Sequence, residues 1–252
     1  LDRFTEETWL HCYVRLSLQI VTARSVTAIR GDIPLSFRPH IPGMVEVMPN
    51  QTSVTQEKQI WLPLLPQRGL IARDPTRRGK IKSLGLMANR FNVPASLLDP
   101  SFEERLAAIG VSWQPTLKDR RMSTAPKWHD FEQLDAILCT RSDPLTEGAL
   151  RKPATKLINA WVAGAIPLIN AEPGYLEIAR LGVDAILIDA PDRVVEILTR
   201  LTSDPRMLQR LEDGVAERAV EFRQTKILQQ WADFVTQARS PRRPSDTAPL
   251  IG

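Results

Sequence analysis

The sequence predicts an α/β fold: a doubly wound, Rossmann-like parallel sheet in the C-terminal part, preceded by a reduced or truncated N-terminal α/β part. Three observations carry this. From Lys80 onward, short apolar runs alternate with segments of helical spacing, the pattern that places helices on both faces of a parallel sheet. The run DAILCTR from Asp135 to Arg141 reads as a strand. Pro153 and Gly164 then bracket a helix that leads into a further strand, because proline suits a first helical position and glycine a helix stop.

In chain order, Glu6 to Ile20 has helical apolar spacing and Val26 to Ile33 reads as a strand. Pro34, Pro39, Pro42 and Gly43 break the chain. A short strand is expected over Val45 to Met48, and a polar stretch over Pro49 to Gln59. Ile60 to Arg78, rich in Pro and Arg, reads as a connector. Beyond it, strands are expected at Ile81 to Met87, Val111 to Pro115, Asp135 to Arg141, Ala165 to Ile169 and Ala185 to Ile188. Helices are expected at Ser101 to Ile109, Asp130 to Leu134, Pro153 to Ala163 and Tyr175 to Leu181. Long helices fill Asp192 to Ala238, with breaks expected near Asp204–Pro205 and Gly214. The tail SPRRPSDTAPLIG has too little apolar content to pack and is expected to be disordered. The division is therefore 1–75 for a partial N-terminal domain and linker, 76–238 for the Rossmann-like domain and 239–252 for the tail.

The chain has 252 residues, 43% hydrophobic and 25% charged, with 33 basic against 29 acidic residues. This is an ordinary globular composition. The net charge of +4 permits a phosphate-bearing ligand, a nucleic acid or an anionic membrane and selects none of them. Cys12 and Cys139 lie far apart in apolar segments and read as buried thiols in a reducing, cytoplasmic compartment. Nothing resembles a zinc cluster, a nucleophile elbow, a Walker loop or a D-x-D metal motif.

The start of the helix after DAILCTR is unusual. Arg151, Lys152 and Lys156 crowd it with no acid among them, although a helix N-terminus already carries partial positive charge. Leu157, Ile158, Trp161 and Val162 form the stripe that packs on the sheet, leaving Lys152, Lys156 and Asn159 on another face. Such a start lies near the carboxyl ends of the strands, where ligands of open α/β sheets bind. Free N–H groups, the helix dipole and two lysines together make an anion site, most naturally for phosphate. The competing reading leaves both lysines solvated and pairs Arg151 with Asp143 or Glu147.

KPATKLINAWVAGAIPLI, followed by EPGYLEIARLG, resembles the donor-domain signature of GT-B glycosyltransferases. It is closest in pattern to small bacterial members that read K-P-x-x-K-L-x-N-A-W-x-A-G-x-P. The resemblance extends more weakly from Lys80 to about Val235 and reaches LPLLPQRGLIARDP, where that family links its domains. It implies two facing Rossmann-like domains, with a nucleotide-diphosphate sugar held mainly by the C-terminal one and no cofactor or metal. Ala154 and Thr155 would present N–H groups to the diphosphate, beside Lys152, and Lys156 would neutralise its charge. Asn159 stands where many relatives carry a ribose-binding Glu, and Arg151 where many carry a second Glu. Glu172, Gly174 and Tyr175 would touch donor or acceptor, and Glu177 is another ribose candidate.

Asn89, His129 and Arg141 are further candidates for the donor site, with Trp128 beside His129 as a stacking face or a core residue. Asp32 stands where an acceptor-side base would be. The resulting expectation is a metal-independent glycosyltransferase acting on an unknown acceptor. A catalytically inactive GT-B-like nucleotide-sugar-binding or scaffold protein is the alternative, and an epimerase of the same fold a further one. No nucleic-acid partner is expected, since the basic charge is scattered; a peripheral membrane or oligomer contact is compatible with it. About seventy N-terminal residues are fewer than an acceptor domain of ordinary size, so the expectation is either that the chain is a fragment or that its acceptor half is reduced and borrowed from a partner or a second copy.

Overall fold

The computed structural model describes residues 20–23, 26–30, 45–48, 50–55, 57, 59–119, 126–142 and 152–239. They form two sheets. The first contains β1 (Ile20–Ala23), β2 (Val26–Arg30), β3 (Val45–Met48) and β4 (Gln59–Trp61) in that spatial order. β1 and β2 are antiparallel, whereas β2, β3 and β4 run parallel. The expected helix over Glu6 to Ile20 lies outside the described residues except for Ile20, which opens β1 instead. β4 is a strand within what the sequence presents as polar stretch and connector: Val47 pairs with Ile60 and Met48 with Trp61.

The second sheet is entirely parallel, with β5 (Ser83–Asn89), β6 (Ser112–Lys118), β7 (Ala136–Cys139), β8 (Ile166–Ile169) and β9 (Ile186–Leu187) ordered β6-β5-β7-β8-β9. The chain leaves β5 in one direction to β6 and resumes on its other side at β7. That places a topological switch point between β5 and β7.

Six α-helices lie among the described residues: α1 (Pro100–Ala108), α2 (Thr155–Ala163), α3 (Pro173–Leu176), α4 (Pro191–Ser203), α5 (Pro205–Glu221) and α6 (Gln224–Arg239). The strand period of two assigns the faces. Ala136 and Leu138 of β7 join Leu84, Leu86, Ile166 and Leu168 against Phe102 and Leu106 of α1 and Val194 and Leu198 of α4. Ile137 and Cys139 face the other way, against Leu157 and Trp161 of α2, Val215 of α5 and Ile227 and Trp231 of α6. Helices on both faces make the sheet doubly wound.

Local chemistry sets the helix ends. Asp99 caps α1 by accepting the Ser101 N–H, with Pro100 in the first turn. Asp204 accepts the N–H groups of Arg206 and Met207 and separates α4 from α5 at the expected break. Gly164 takes φ 79° and closes α2, a left-handed conformation that glycine adopts at little cost.

Three expectations are corrected. Asp130 to Leu134 is not a helix: Asp130 bridges to Ile71 and turns follow, so the connector's backbone captures this segment. The helix expected at Tyr175 to Leu181 is the four-residue α3, begun at Pro173. Gly214 does not break the last helical stretch, which is interrupted after Glu221 instead. A Cβ on Gly214 would lie 2.1 Å from the Val183 carbonyl oxygen, so this glycine serves close packing within α5.

The arginine-rich connector also has a structural destination. Asp135 lies at the amino end of β7 and is fully buried. It receives Arg73 Nε at 3.1 Å, Arg77 Nη2 at 2.8 Å and the N–H groups of Lys82 and Ser83. Arg73 Nη1 also meets the buried Glu212 of α5 at 2.9 Å. The chain between the two sheets is thus fastened by charge-assisted hydrogen bonds at the end of the sheet opposite the switch-point crevice.

Candidate functional site

The carboxyl edge of β7 and β8 gathers most of the described candidates. α2 begins there without a side-chain cap: Ala154 occupies the N-cap. The N–H groups of Thr155, Lys156 and Leu157 have no partner among the described residues, whereas Ile158 N–H makes the first intrahelical bond to Ala154. Unpaired N–H groups of this kind create positive potential at a helix start.

Lys156 extends its ammonium back to the end of β7, where Nζ donates to the Thr140 carbonyl at 3.3 Å. No carboxylate lies within ion-pair distance of it among the described residues. Desolvation lowers its pKa below the ordinary lysine value, Cys139 and Glu172 raise it in part, and Arg141 lowers it further. An ammonium offers three donors, and one long bond leaves this group under-satisfied.

Arg141 follows the end of β7 and Glu172 follows the end of β8. Glu172 is 2% exposed, and its Oε1 lies 2.8 Å from Arg141 Nε. The Nε–H does not point at that oxygen, so the contact is an ion pair rather than an aligned hydrogen bond. With its amide nitrogen turned toward them, Asn170 donates to the Cys139 carbonyl at 3.3 Å and to Glu172 Oε1 at 3.2 Å. The buried Tyr175 stands close to both Arg141 and Glu172. Burial opposes the Arg141 charge, but Glu172 outweighs it and holds the pKa above the ordinary value. Burial, then Glu172, pushes the Tyr175 phenol well above its usual pKa, which keeps it protonated.

The cluster therefore contains two cations and one carboxylate, a single positive charge in excess. It lies beside a helix start whose N–H groups point outward. Its chemistry is that of an anion receptor.

The other candidates have different placements. Lys152 is exposed, and its carbonyl packs close to Gly174: a Cβ there would lie 2.8 Å from Lys152 O and 2.7 Å from Asn50 Oδ1. Gly174 thus permits the loop after β8 to meet both α2 and the N-terminal part. Glu177 accepts the Thr52 N–H at 2.7 Å, which joins it to the short turn Gln51–Ser53 of the N-terminal part. Asn159 is buried and bonded to Gln67 of the connector through both ends of its amide. Asn89 ends β5 at the switch point, where Ser142 N–H bonds the Asn92 carbonyl and joins the two strand-end loops. His129 lends its carbonyl to Ile71, and Trp128 donates to the Thr116 carbonyl at 2.9 Å, so both stitch loops together. Asp32 and Arg151 lie outside the described residues.

Sequence reasoning passed over Asn170, Thr140 and Cys139, which complete the cluster from strand ends. Their spacing carries no motif; only the expectation that residues after adjacent strands converge could have found them. Among the described residues no group of three His, Cys, Asp or Glu side chains could hold a metal ion, and no helix is long and apolar enough to cross a membrane.

No family model and no curated protein matches the chain. Among solved structures it is similar to the pneumococcal O-GlcNAc transferase GtfA in complex with UDP and GlcNAc, at 14% identity and a TM-score of 0.50, over 73% of this chain and 41% of that one. It is also similar to AviGT4, a glycosyltransferase involved in avilamycin A biosynthesis, at 10% identity and a TM-score of 0.46, over 73% and 58%. The calicheamicin glycosyltransferase CalG4 follows at 15% identity and a TM-score of 0.40, over 80% and 53%. The chain thus spans about two fifths to three fifths of the length of these proteins. At such identities the likeness is one of fold, and the fold is glycosyltransferase-like.

Proposed function

We propose that this protein binds a nucleotide-diphosphate sugar at the carboxyl ends of β7 and β8, beside the switch point, and transfers the sugar to an acceptor. One observation carries the reading: the Lys156 ammonium, under-satisfied and without a carboxylate partner among the described residues, sits at the uncapped start of α2. The switch point is where ligands of such sheets bind, and the glycosyltransferase-like fold agrees with the chemistry. As the bond from the sugar's anomeric carbon to the diphosphate oxygen breaks, negative charge grows on the departing diphosphate. The α2 N–H groups, Lys156 and Arg141 would stabilise that charge in place, and Lys152 would add attraction at longer range. The acceptor hydroxyl oxygen forms the new bond to the anomeric carbon, and its proton is released to solvent. A reducing cytoplasm, where Cys139 stays a thiol, is the setting this reading favours.

Thermal shift with UDP, dTDP, GDP and ADP tests it. At least one diphosphate should raise Tm, and Lys156→Ala should abolish the rise; equal shifts in both proteins count against the proposal.

A second reading, binding without turnover, draws on the bonding of Asn159 to Gln67, which removes that amide from a donor's ribose. Incubation with nucleotide sugars separates the two, since slow release of free sugar to water accompanies an active transferase and not a pure binder.

A further inference from the structure

We propose that Glu172 is a positioning residue: it holds the Arg141 guanidinium at the crevice so that Arg141 and Lys156 grip one diphosphate together. The inference rests on the anion site described above and adds how that site is kept in shape.

The two side chains come from adjacent strand ends. Arg141 stands two residues beyond β7 and Glu172 three beyond β8, so without a tie between them each would follow its own loop. Glu172 Oε1 lies 2.8 Å from Arg141 Nε. Glu172 is itself fixed from several directions. Asn170 donates to its carboxylate at 3.2 Å, its N–H bonds the Asn170 carbonyl at 2.8 Å, and its carbonyl accepts the N–H groups of Tyr175 and Leu176 at the start of α3. Tyr175, 1% exposed, lies near the pair and adds to the burial around it. A guanidinium has five donors in a rigid fork. Glu172 holds it on the Nε side and leaves the terminal nitrogens as donors for a ligand oxyanion.

The sign of the charge makes the claim sharp. A buried carboxylate beside a phosphate site repels the phosphate, so by Coulomb attraction alone the site would bind better without Glu172. A positioning role demands the opposite, because a misplaced guanidinium forfeits its charge-assisted bonds.

Titration calorimetry with inorganic pyrophosphate decides between them, using wild type, Glu172→Gln, Arg141→Met and the double variant, with circular dichroism confirming the fold of each. Glu172→Gln should weaken binding by about tenfold, as expected when an unheld guanidinium forfeits one charge-assisted hydrogen bond to the pyrophosphate. Arg141→Met should weaken it at least as much. The double variant should be no weaker than Arg141→Met, since the two residues act as a unit. Glu172→Asp keeps the charge but withdraws the carboxylate by one methylene, and it too should weaken binding. Unchanged or tighter binding by Glu172→Gln overturns the proposal, as does a Glu172→Gln effect that persists undiminished without Arg141. Wild type that binds neither pyrophosphate nor any nucleoside diphosphate overturns the proposed function itself.

Discussion

Asn159 holds the backbone of Gln67: its Oδ1 accepts the Gln67 N–H at 2.9 Å, and its Nδ2 lies 3.4 Å from the Gln67 Oε1. A side chain in the middle of α2 therefore fastens the segment between the two sheets. Arg73 N–H, bonded to the Ala163 carbonyl, and Trp231 Nε1, bonded to the Pro63 carbonyl at 3.0 Å, fasten the same segment on either side.

Asn159→Ala leaves the Gln67 N–H without its acceptor in a half-buried place. The expected loss is about 1–3 kcal/mol of unfolding free energy, measured by urea denaturation. Pyrophosphate affinity should stay within about twofold; a loss of tenfold or more would make Asn159 a ligand contact instead.

Asp135→Asn removes the carboxylate that Arg73, Arg77, Lys82 and Ser83 share. Two guanidinium groups are left facing a neutral amide, and breaking a buried pair in this way costs about 3–5 kcal/mol. Denaturation should show a loss of that size, and an effect below about 1 kcal/mol, the range of exposed pairs, would mean that solvent screens the network.

Lys156 ties stability to pH. Its folded pKa is lowered, first by desolvation, so between the folded and unfolded values the unfolded chain holds more protons. Stability then rises with pH through that window, and below it the cost of the partly desolvated charge is present in full. Lys156→Met removes the cost. Without ligand its Tm should rise, by about 2–4 °C for each kcal/mol recovered, while pyrophosphate binding is lost. A variant less stable than wild type at neutral pH contradicts the account of Lys156 as a desolvated, under-satisfied ligand group.

Burial pushes the Cys139 thiol up to about 12, Lys156 pulling it down and Glu172 raising it. Only the thiolate is nucleophilic, so in a Cys12→Ser background native protein should resist iodoacetamide at pH 8 and react with one equivalent once unfolded. Rapid modification of the native protein would place Cys139 in contact with solvent.

Gly214→Ala sets helix propensity against packing. Alanine favours a helix interior by about 0.8–1.0 kcal/mol over glycine, but its Cβ would lie 2.1 Å from the Val183 carbonyl oxygen. Backbone cannot yield as a side chain does, and overpacking costs about 1–3 kcal/mol. A lower Tm is expected, and a higher one would show that the loop before β9 moves freely aside.

The C-terminal sheet was legible in the sequence because its signals are local. AILC, the whole of β7, is apolar at every position since the strand is covered on both faces, and Pro153 and Gly164 bracket α2 by their own backbone preferences. The crowding of Lys152 and Lys156 at a helix start, where charge of their own sign already gathers, was legible for the same reason. Tertiary structure alone decided what each group meets. It tied Asn159 to Gln67 and Glu177 to Thr52, made β4 a strand by supplying β3 as its neighbour, and denied a helix to Asp130–Leu134 by bridging Asp130 to Ile71. It also set Arg141 against Glu172 across two strand ends. Such pairings join positions tens of residues apart, and no periodicity encodes them; they arise when buried polar groups must find partners wherever the packed sheet brings one within reach.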